Sequence, residues 1–435
     1  MQTLIALALL AVSPIEGEAA FADRAKFDLV TQQGMVYLSL SDVPEDARES
    51  LAKTTAFVVA SLSNKPNLNQ QLPVPVEGTS LLRLDLAELG WGGHYQGQVI
   101  KHYPYRPDIQ ALGGQQFPLV VSALWFVSCA TDPNETGDMY YQLLYSGKPP
   151  KTLKEFHDFW KVQRETTDFI GFVEGKSGVA VQKHRLIENH PTGIRSHSWS
   201  TYDSKAVAGD KDPLENLVPG TLKFDAGEHI VGVPKRSTNA SGTLQAYFLA
   251  NARGERQESA PASIVTDHLA TRTSEIRTFI SCVGCHATGL NIPTVNEYVA
   301  YVTSGAKVYA KDKATKEAIE TYLQSDFAKE LVRANEDYAA AVKMVNGNRP
   351  VQNAADFVRF VQYYDRDVDL DQAARELGTE EKTLALALAY YSAGKQTLPG
   401  RLAALAHSKP MPRKSWEQLS YPAWQLLQNF QRVKP

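Results

Sequence analysis

The sequence predicts an α+β chain: a mixed N-terminal region and a strand-rich middle region, followed by a mainly α-helical C-terminal part. Three observations carry this. Between residues 165 and about 275, short β-branched and aromatic runs are punctuated by Gly227, Gly242 and Gly254, as strands joined by turns would be. From Asn296 onward the apolar residues recur at helical spacing. Before Pro149-Pro150 both periodicities occur. At 43% hydrophobic and 21% charged residues, the chain can bury a sizeable core. Its 435 residues suggest two or three domains.

In the N-terminal region, Asp42 to Leu62 has helical spacing, and Asp42 is a candidate N-cap just before Pro44. Leu81 to Leu86 alternates like a half-buried strand, and Phe117 to Val127 is a buried apolar segment. Pro149-Pro150 marks a turn, after which Leu153 to Arg164 is amphipathic at helical spacing. Phe169 to Val173, Ile230 to Val233, Leu244 to Ala250 and Ser263 to Thr266 read as strands. Ser204 to Gly220, polar with Pro and Gly, reads as a surface loop. Lys311 to Val345, Ala354 to Tyr364, Asp369 to Leu377 and Thr379 to Ser392 read as helices. The expected segments are a leader at 1–22, a mixed α/β domain at 23–150, the strand-rich region at 151–275 and a helical region at 276–435. No internal repeat is visible.

The N-terminus reads as an export leader. Leu4 to Val12 is an unbroken apolar run, too short to span a bilayer, and Ala20-Phe21-Ala22 is a small-x-small pattern before Asp23. No Lys or Arg precedes the run, and the competing reading is a short N-terminal helix of the folded domain. Cleavage before Asp23 would deliver the chain to the periplasm. With 45 basic and 48 acidic side chains, nothing in the charge points to nucleic acid. No later stretch of about 20 apolar residues suggests a membrane span. Three cysteines make no disulfide framework; Cys129, in an apolar run, reads as a buried thiol.

The chemistry lies in Cys282-Val283-Gly284-Cys285-His286, the Cys-x-x-Cys-His pattern of haem c attachment. Two intervening residues let both sulfurs reach the two vinyl groups of a porphyrin, and the next side chain falls under its plane to offer an imidazole to the iron. A redox dithiol would sit in a strand-turn-helix unit and needs no following His. A zinc site would need a second ligand cluster, and none stands nearby. The expected cofactor is therefore one covalent haem c, held by Cys282, Cys285 and His286, with the loop Ala287 to Pro293 supplying a carbonyl to the other ring nitrogen of His286 and Leu290 packing on the haem face. The sixth iron position is less defined. Among 10 His and 5 Met, His190 is the first candidate and Met411, followed by Pro412, its rival; Met344 lies in a helical stretch and reads as core. An open site is the third possibility.

The chain resembles a family of large exported cytochrome c proteins, common in planctomycetes and scattered in other bacteria. The resemblance covers most of the sequence, through LLRLDLAELGW (81–91), YPY (103–105), SGVAVQKHRLIENH (177–190), SWSTYD (198–203), GTLQAYFLANARGERQESAPASIVTD (242–267), SCVGCHATGL (281–290) and DVDLDQAARELG (367–378). It implies a cytochrome c-like, haem-bearing C-terminal part behind a long N-terminal domain. Arg185, Glu188 and His190 match positions that the family keeps, whereas Met344 and Met411 match none clearly. The loop at Lys235 to Ser241 and Cys129 depart from the pattern. The expected function is periplasmic electron transfer with a redox partner protein. The alternatives are a peroxidase-like haem oxidoreductase, or a haem-based sensor with an open sixth position. The haem is expected where the strand-rich middle meets the following helices, because no Pro/Gly-rich linker separates them.

Overall fold

The computed structural model describes residues 14–435 except 68–72, 106–118, 137, 166–168, 175–183, 206–208, 213–215, 217–221, 261–262, 264–274, 292–326, 347–354, 394–397, 399 and 434–435. The chain forms two compact units. Unit one comprises 1–59, 70–130 and 359–435; unit two comprises 60–69 and 131–358. The expected strand-rich middle and helical C-terminal part are both present. The helices divide, however: those after Arg359 belong with the N-terminal residues, and those before it belong with the strands.

Unit one begins with helix α1 (Pro14–Arg24), then strand β1 (Met35–Ser39), helix α2 (Glu45–Leu62), β2 (Val74–Pro75), β3 (Leu81–Asp85) and β4 (Leu119–Ser122). The sheet order is β2-β3-β1-β4, with β1 antiparallel to β3 and parallel to β4. All five residues of β1 are buried, as a central strand requires. The apolar segment expected from Phe117 lies partly outside the described residues; its described part changes from strand to helix at Ser122. The Ser122 hydroxyl accepts from the Trp125 amide at 3.0 Å and so caps helix α3 (Ala123–Cys129). Cys129 is buried in that helix. Asp42 does not cap α2, which starts at Glu45. It is buried, and its carbonyl accepts from Gln372 Nε2 at 3.0 Å.

Helix α1 overlaps the expected leader. Ala20 is fully buried against Met35, Tyr37, Val76, Leu81 and Val120. Glu16 accepts from Ser39 Oγ at 2.8 Å and Ser80 Oγ at 2.5 Å, and Asp23 accepts from the Tyr37 hydroxyl and Arg83. Glu16 and Ala20, which precede the expected cut before Asp23, are thus part of this core. The short-helix reading describes residues 14–24, and residues 1–13 lie outside the described ones.

In unit two, two short helices, Pro133–Thr136 and Met139–Leu144, precede helix α4 (Leu153–Trp160). Thr152 and Glu155 form its capping box, and Lys161 ends it at positive φ. An antiparallel six-stranded sheet follows: β5 (Phe169–Glu174), β6 (His184–Pro191), β7 (His197–Asp203), β8 (Ala226–Arg236), β9 (Ser241–Asn251) and β10 (Arg256–Gln257), in sequence order. The strand expected at Ser263 to Thr266 lies, apart from Ser263, outside the described residues. A small pair, β11 (Ser259–Ala260) and β12 (Ile276–Arg277), leads into helix α5 (Ile280–Cys285). Helix α6 (Phe327–Val345) lies along β9, where Gly242 leaves room for the backbone of Asp337 and Ala341. Unit one resumes at Arg359, within α7 (Ala355–Asp365), and continues with α8 (Leu370–Glu376), α9 (Glu381–Ala393), α10 (Gly400–Ala406) and α11 (Arg413–Val433). Asp369 caps α8 by accepting from Gln372 N. Among the described residues, no helix is long and apolar enough to cross a membrane.

Register decides which side chains share a face of the large sheet. Residues directly opposite in an antiparallel pair point the same way, and successive residues alternate. The rungs Glu188–Ser200–His229–Phe248 and His190–Ser198–Val231–Ala246 therefore share one face. The rungs Ile187–Thr201–Glu228–Leu249 and Asn189–Trp199–Ile230–Tyr247 share the other, together with Arg185 and Asp203.

Candidate functional site

The Cys-x-x-Cys-His segment is held from both ends. On its N-terminal side, Arg277 donates to Asp132 at 2.7 Å, with both side chains buried, and the Arg277 amide donates to Ser281 Oγ at 2.8 Å. Phe279 has φ 69° and ψ −60°, and the Ile280 amide donates to the Thr278 carbonyl at 3.0 Å: a γ-turn of the strained, positive-φ kind. A β-free residue would adopt it more readily. Phe279 stays because its ring is boxed in by Tyr140, Tyr247 and Phe357, with centroids 5.2, 6.0 and 5.8 Å away. Helix α5 then carries Cys282 and Cys285 a turn apart, and neither is in a disulfide. Cys282 is buried and Cys285 half-buried.

On its C-terminal side, His286 Nδ1 lies 3.2 Å from the Gly289 carbonyl. Nδ1–H donates to that carbonyl, which leaves Nε2 as the ring nitrogen available to a metal. Gly289 has φ 109°, and any Cβ there would collide with Asn335 of α6. Asn335 clamps the next residue through both of its amide groups: its Oδ1 accepts from Leu290 N at 2.6 Å, and its Nδ2 donates to Leu290 O at 2.7 Å. Leu290 is buried. The loop that sequence reading expected to steady His286 thus does so.

His286 Nε2 looks onto the sheet. It lies 3.5 Å from Glu228 Oε2, and its ring stacks on that of Tyr247 with centroids 6.2 Å apart. Burial pushes the Cys282 thiol well above its ordinary range, and the Glu228 carboxylate to which it donates adds to this. Burial alone would raise Glu228, but His286 and then Arg185 outweigh it and hold the carboxyl below its ordinary range. Arg185 forms a two-pronged bond to Asp203, at 2.8 and 2.6 Å, on this same face. Neither Glu228 nor Asn335 was singled out in the sequence; a lone acid inside the apolar run of β8 was the available signal for the first.

His190 is placed elsewhere. It is fully buried on the opposite face of the sheet, where its Nε2 lies 3.3 Å from both Glu188 Oε2 and Arg164 Nη1. Arg185 and His190 are an odd number of residues apart on one strand, so they cannot serve one face. The structure brings Arg185 toward His286 and takes Glu188 and His190 away, which removes the basis for His190 as sixth ligand. Met411 belongs to unit one, where it is buried and its backbone pairs with Val368. Met344 stands half-buried on α6. Among the described residues, no three His, Cys, Asp or Glu side chains are grouped to hold a metal ion, whereas haem iron needs only axial donors from the chain. The donor set suits a covalent haem: two thiols outside any disulfide and an imidazole whose Nδ1 is already held.

The face carrying His190 is a buried polar core. His157 of α4 stands edge-on to His229 with centroids 5.8 Å apart, and His229 Nδ1 pairs with Ser200 Oγ at 2.8 Å. The Nε2 atoms of both histidines are buried without a hydrogen-bond partner among the described residues. Burial, then the nearby positive charge of Arg164, lowers His157 to about 3; burial, then His157, takes His229 well below its ordinary value. Both are neutral in the fold and take up protons only when unfolded. Stability is therefore unaffected above about pH 6.5 and falls below it by about 1.4 kcal/mol per pH unit for each such histidine. In unit one, Asp42 is raised to about 8 by burial and then by Glu376, and it acts in the opposite sense over the same window. The readout is thus a difference: between pH 6.5 and 5, urea midpoints of His157→Leu should fall less than those of the wild type. Equal slopes would show that His157 is not held neutral.

Compared with models of protein families, with curated proteins and with solved structures, the chain matches none.

Proposed function

We propose that the chain is a c-type cytochrome with one covalent haem, attached through Cys282 and Cys285 and ligated by His286, which passes electrons to a redox partner protein in the periplasm. The observation that carries this is the His286 Nδ1 to Gly289 carbonyl contact of 3.2 Å next to two thiols on one helical turn. When bound, the haem supplies a one-electron couple. The chain's own residues set that couple's surroundings. Asn335 and Gly289 fix the imidazole, Tyr247 covers its ring, and Glu228 with Arg185 places charge beside Nε2. The resemblance to large exported cytochromes supports the compartment, since thioether formation needs reduced thiols delivered to the attachment machinery outside the cytoplasm.

One observation favours a second reading, a haem oxidoreductase or sensor. The side chain that stands 3.5 Å from Nε2, Glu228, is a carboxylate, a weaker closing ligand than imidazole or thioether. Both readings meet in one experiment. Protein made with haem-attachment machinery should show reduced-minus-oxidised bands of a c-type haem. A carrier's spectrum stays unchanged under carbon monoxide; prompt binding moves the enzyme or sensor reading ahead. Absence of any haem spectrum would sink both.

A further inference from the structure

Resting on the haem reading, we propose that Glu228 is the sixth axial group of the iron, a carboxylate steadied by the Arg185–Asp203 pair. The position follows from the sheet. Glu228 is the third residue of β8, opposite Thr201 of β7 and Leu249 of β9, so its backbone is fixed on both sides. Alternation sends its side chain to the face that His286 approaches, and its Oε2 stands 3.5 Å from Nε2. A metal held between an imidazole nitrogen and a carboxylate oxygen needs two bonds of about 2.0–2.2 Å, hence a separation of roughly 4 Å. The gap falls short by about half an ångström, which rotation about the side-chain bonds of a glutamate supplies. His190 would have to pass through the sheet to reach the same point.

The surroundings favour a charged oxygen donor. Arg185 is half-buried, is locked by both oxygens of Asp203, and lies on the Glu228 face. Its positive charge offsets the cost of keeping a carboxylate on a largely buried surface. A hard oxygen donor holds oxidised iron better than reduced iron. In the oxidised state small anions would therefore have to compete with the carboxylate.

The test uses holoprotein made with haem-attachment machinery: wild type, Glu228→Gln, Glu228→Asp, His190→Ala and Met411→Ala, compared by electron paramagnetic resonance of the oxidised form and by azide titration. Wild type should be high-spin. Glu228→Gln should bind azide at least tenfold more tightly and change the oxidised spectrum. Glu228→Asp, which keeps a shorter carboxylate, should fall between the two. His190→Ala and Met411→Ala should match the wild type. The Asp variant and circular dichroism separate a lost ligand from a misfolded sheet. A low-spin wild type whose spectrum changes only in His190→Ala or Met411→Ala, or a Glu228→Gln spectrum and azide affinity equal to wild type, would overturn the proposal. Haem that leaves the wild-type chain on denaturation is a different failure: it removes the covalent-haem reading, and this assignment with it.

Discussion

Replacing Cys282 and Cys285 together by alanine should yield folded protein that retains no haem once denatured. Each thiol is small, and its loss should cost about 1 kcal/mol, well within what a domain tolerates. The loss of covalent attachment should instead be complete. Each single variant should keep one thioether and show a shifted reduced band. The segment itself should stay in place, because what holds it is outside the cysteines: the Arg277–Asp132 pair, the turn at Phe279, and the Asn335 clamp on Leu290. Circular dichroism that is unchanged while haem stain vanishes from a denaturing gel is the expected pair of results. Haem stain that survives in the double variant would mean attachment elsewhere.

The second large effect belongs to unit one and concerns folding. Arg413, at the start of α11, donates from Nη1 to both oxygens of Glu376 on α8, at 2.7 and 2.8 Å, and from Nε to the Tyr364 carbonyl at 2.7 Å. Trp416 Nε1 and Gln372 Nε2 also donate to Glu376. Both side chains are 2% exposed. Removing one partner strands a buried charge, so Arg413→Ala should cost about 3–5 kcal/mol. That corresponds to roughly 6–20 °C in Tm for a unit of this size. Glu376→Gln should also destabilise, because it leaves the Arg413 guanidinium buried without a counter-charge and turns an amide NH2 toward donors. A calorimetric Tm within about 2 °C of wild type for Arg413→Ala would show that the pair does not hold these helices.

Much of the site was legible because it is local. Cysteine spacing, the His that follows and the loop Ala287 to Pro293 are sequence neighbours, and the carbonyl that holds His286 comes from three residues on. What comes from afar was not legible. Asn335 arrives from a helix beyond a long intervening stretch, and Glu228 arrives from a strand whose face is set by pairing with β7 and β9. His190 shows where reading by proximity misleads. In HRLIENH, Arg185 and His190 look like one cluster, yet a strand's twofold alternation sends them to opposite faces. Counting parity along that strand would have divided Arg185 from Glu188 and His190. The leader shows another limit. The apolar run and the Ala-x-Ala pattern satisfy an export signal, but Glu16 and Ala20 also satisfy a core position, and only the packed sheet reveals the second use. Asp42 likewise stands where a cap would, and instead is buried with its carbonyl accepting from Gln372 of α8.

The most direct measurement is the mass of the intact polypeptide under denaturing, acidic conditions, after production with haem-attachment machinery and a fused export signal that leaves α1 intact. The account predicts a chain heavier than its sequence by one haem, with the added mass mapping to the peptide that contains Cys282 and Cys285. A mass equal to that of the bare sequence, with both thiols free to alkylation and any haem released into acid acetone, would contradict it.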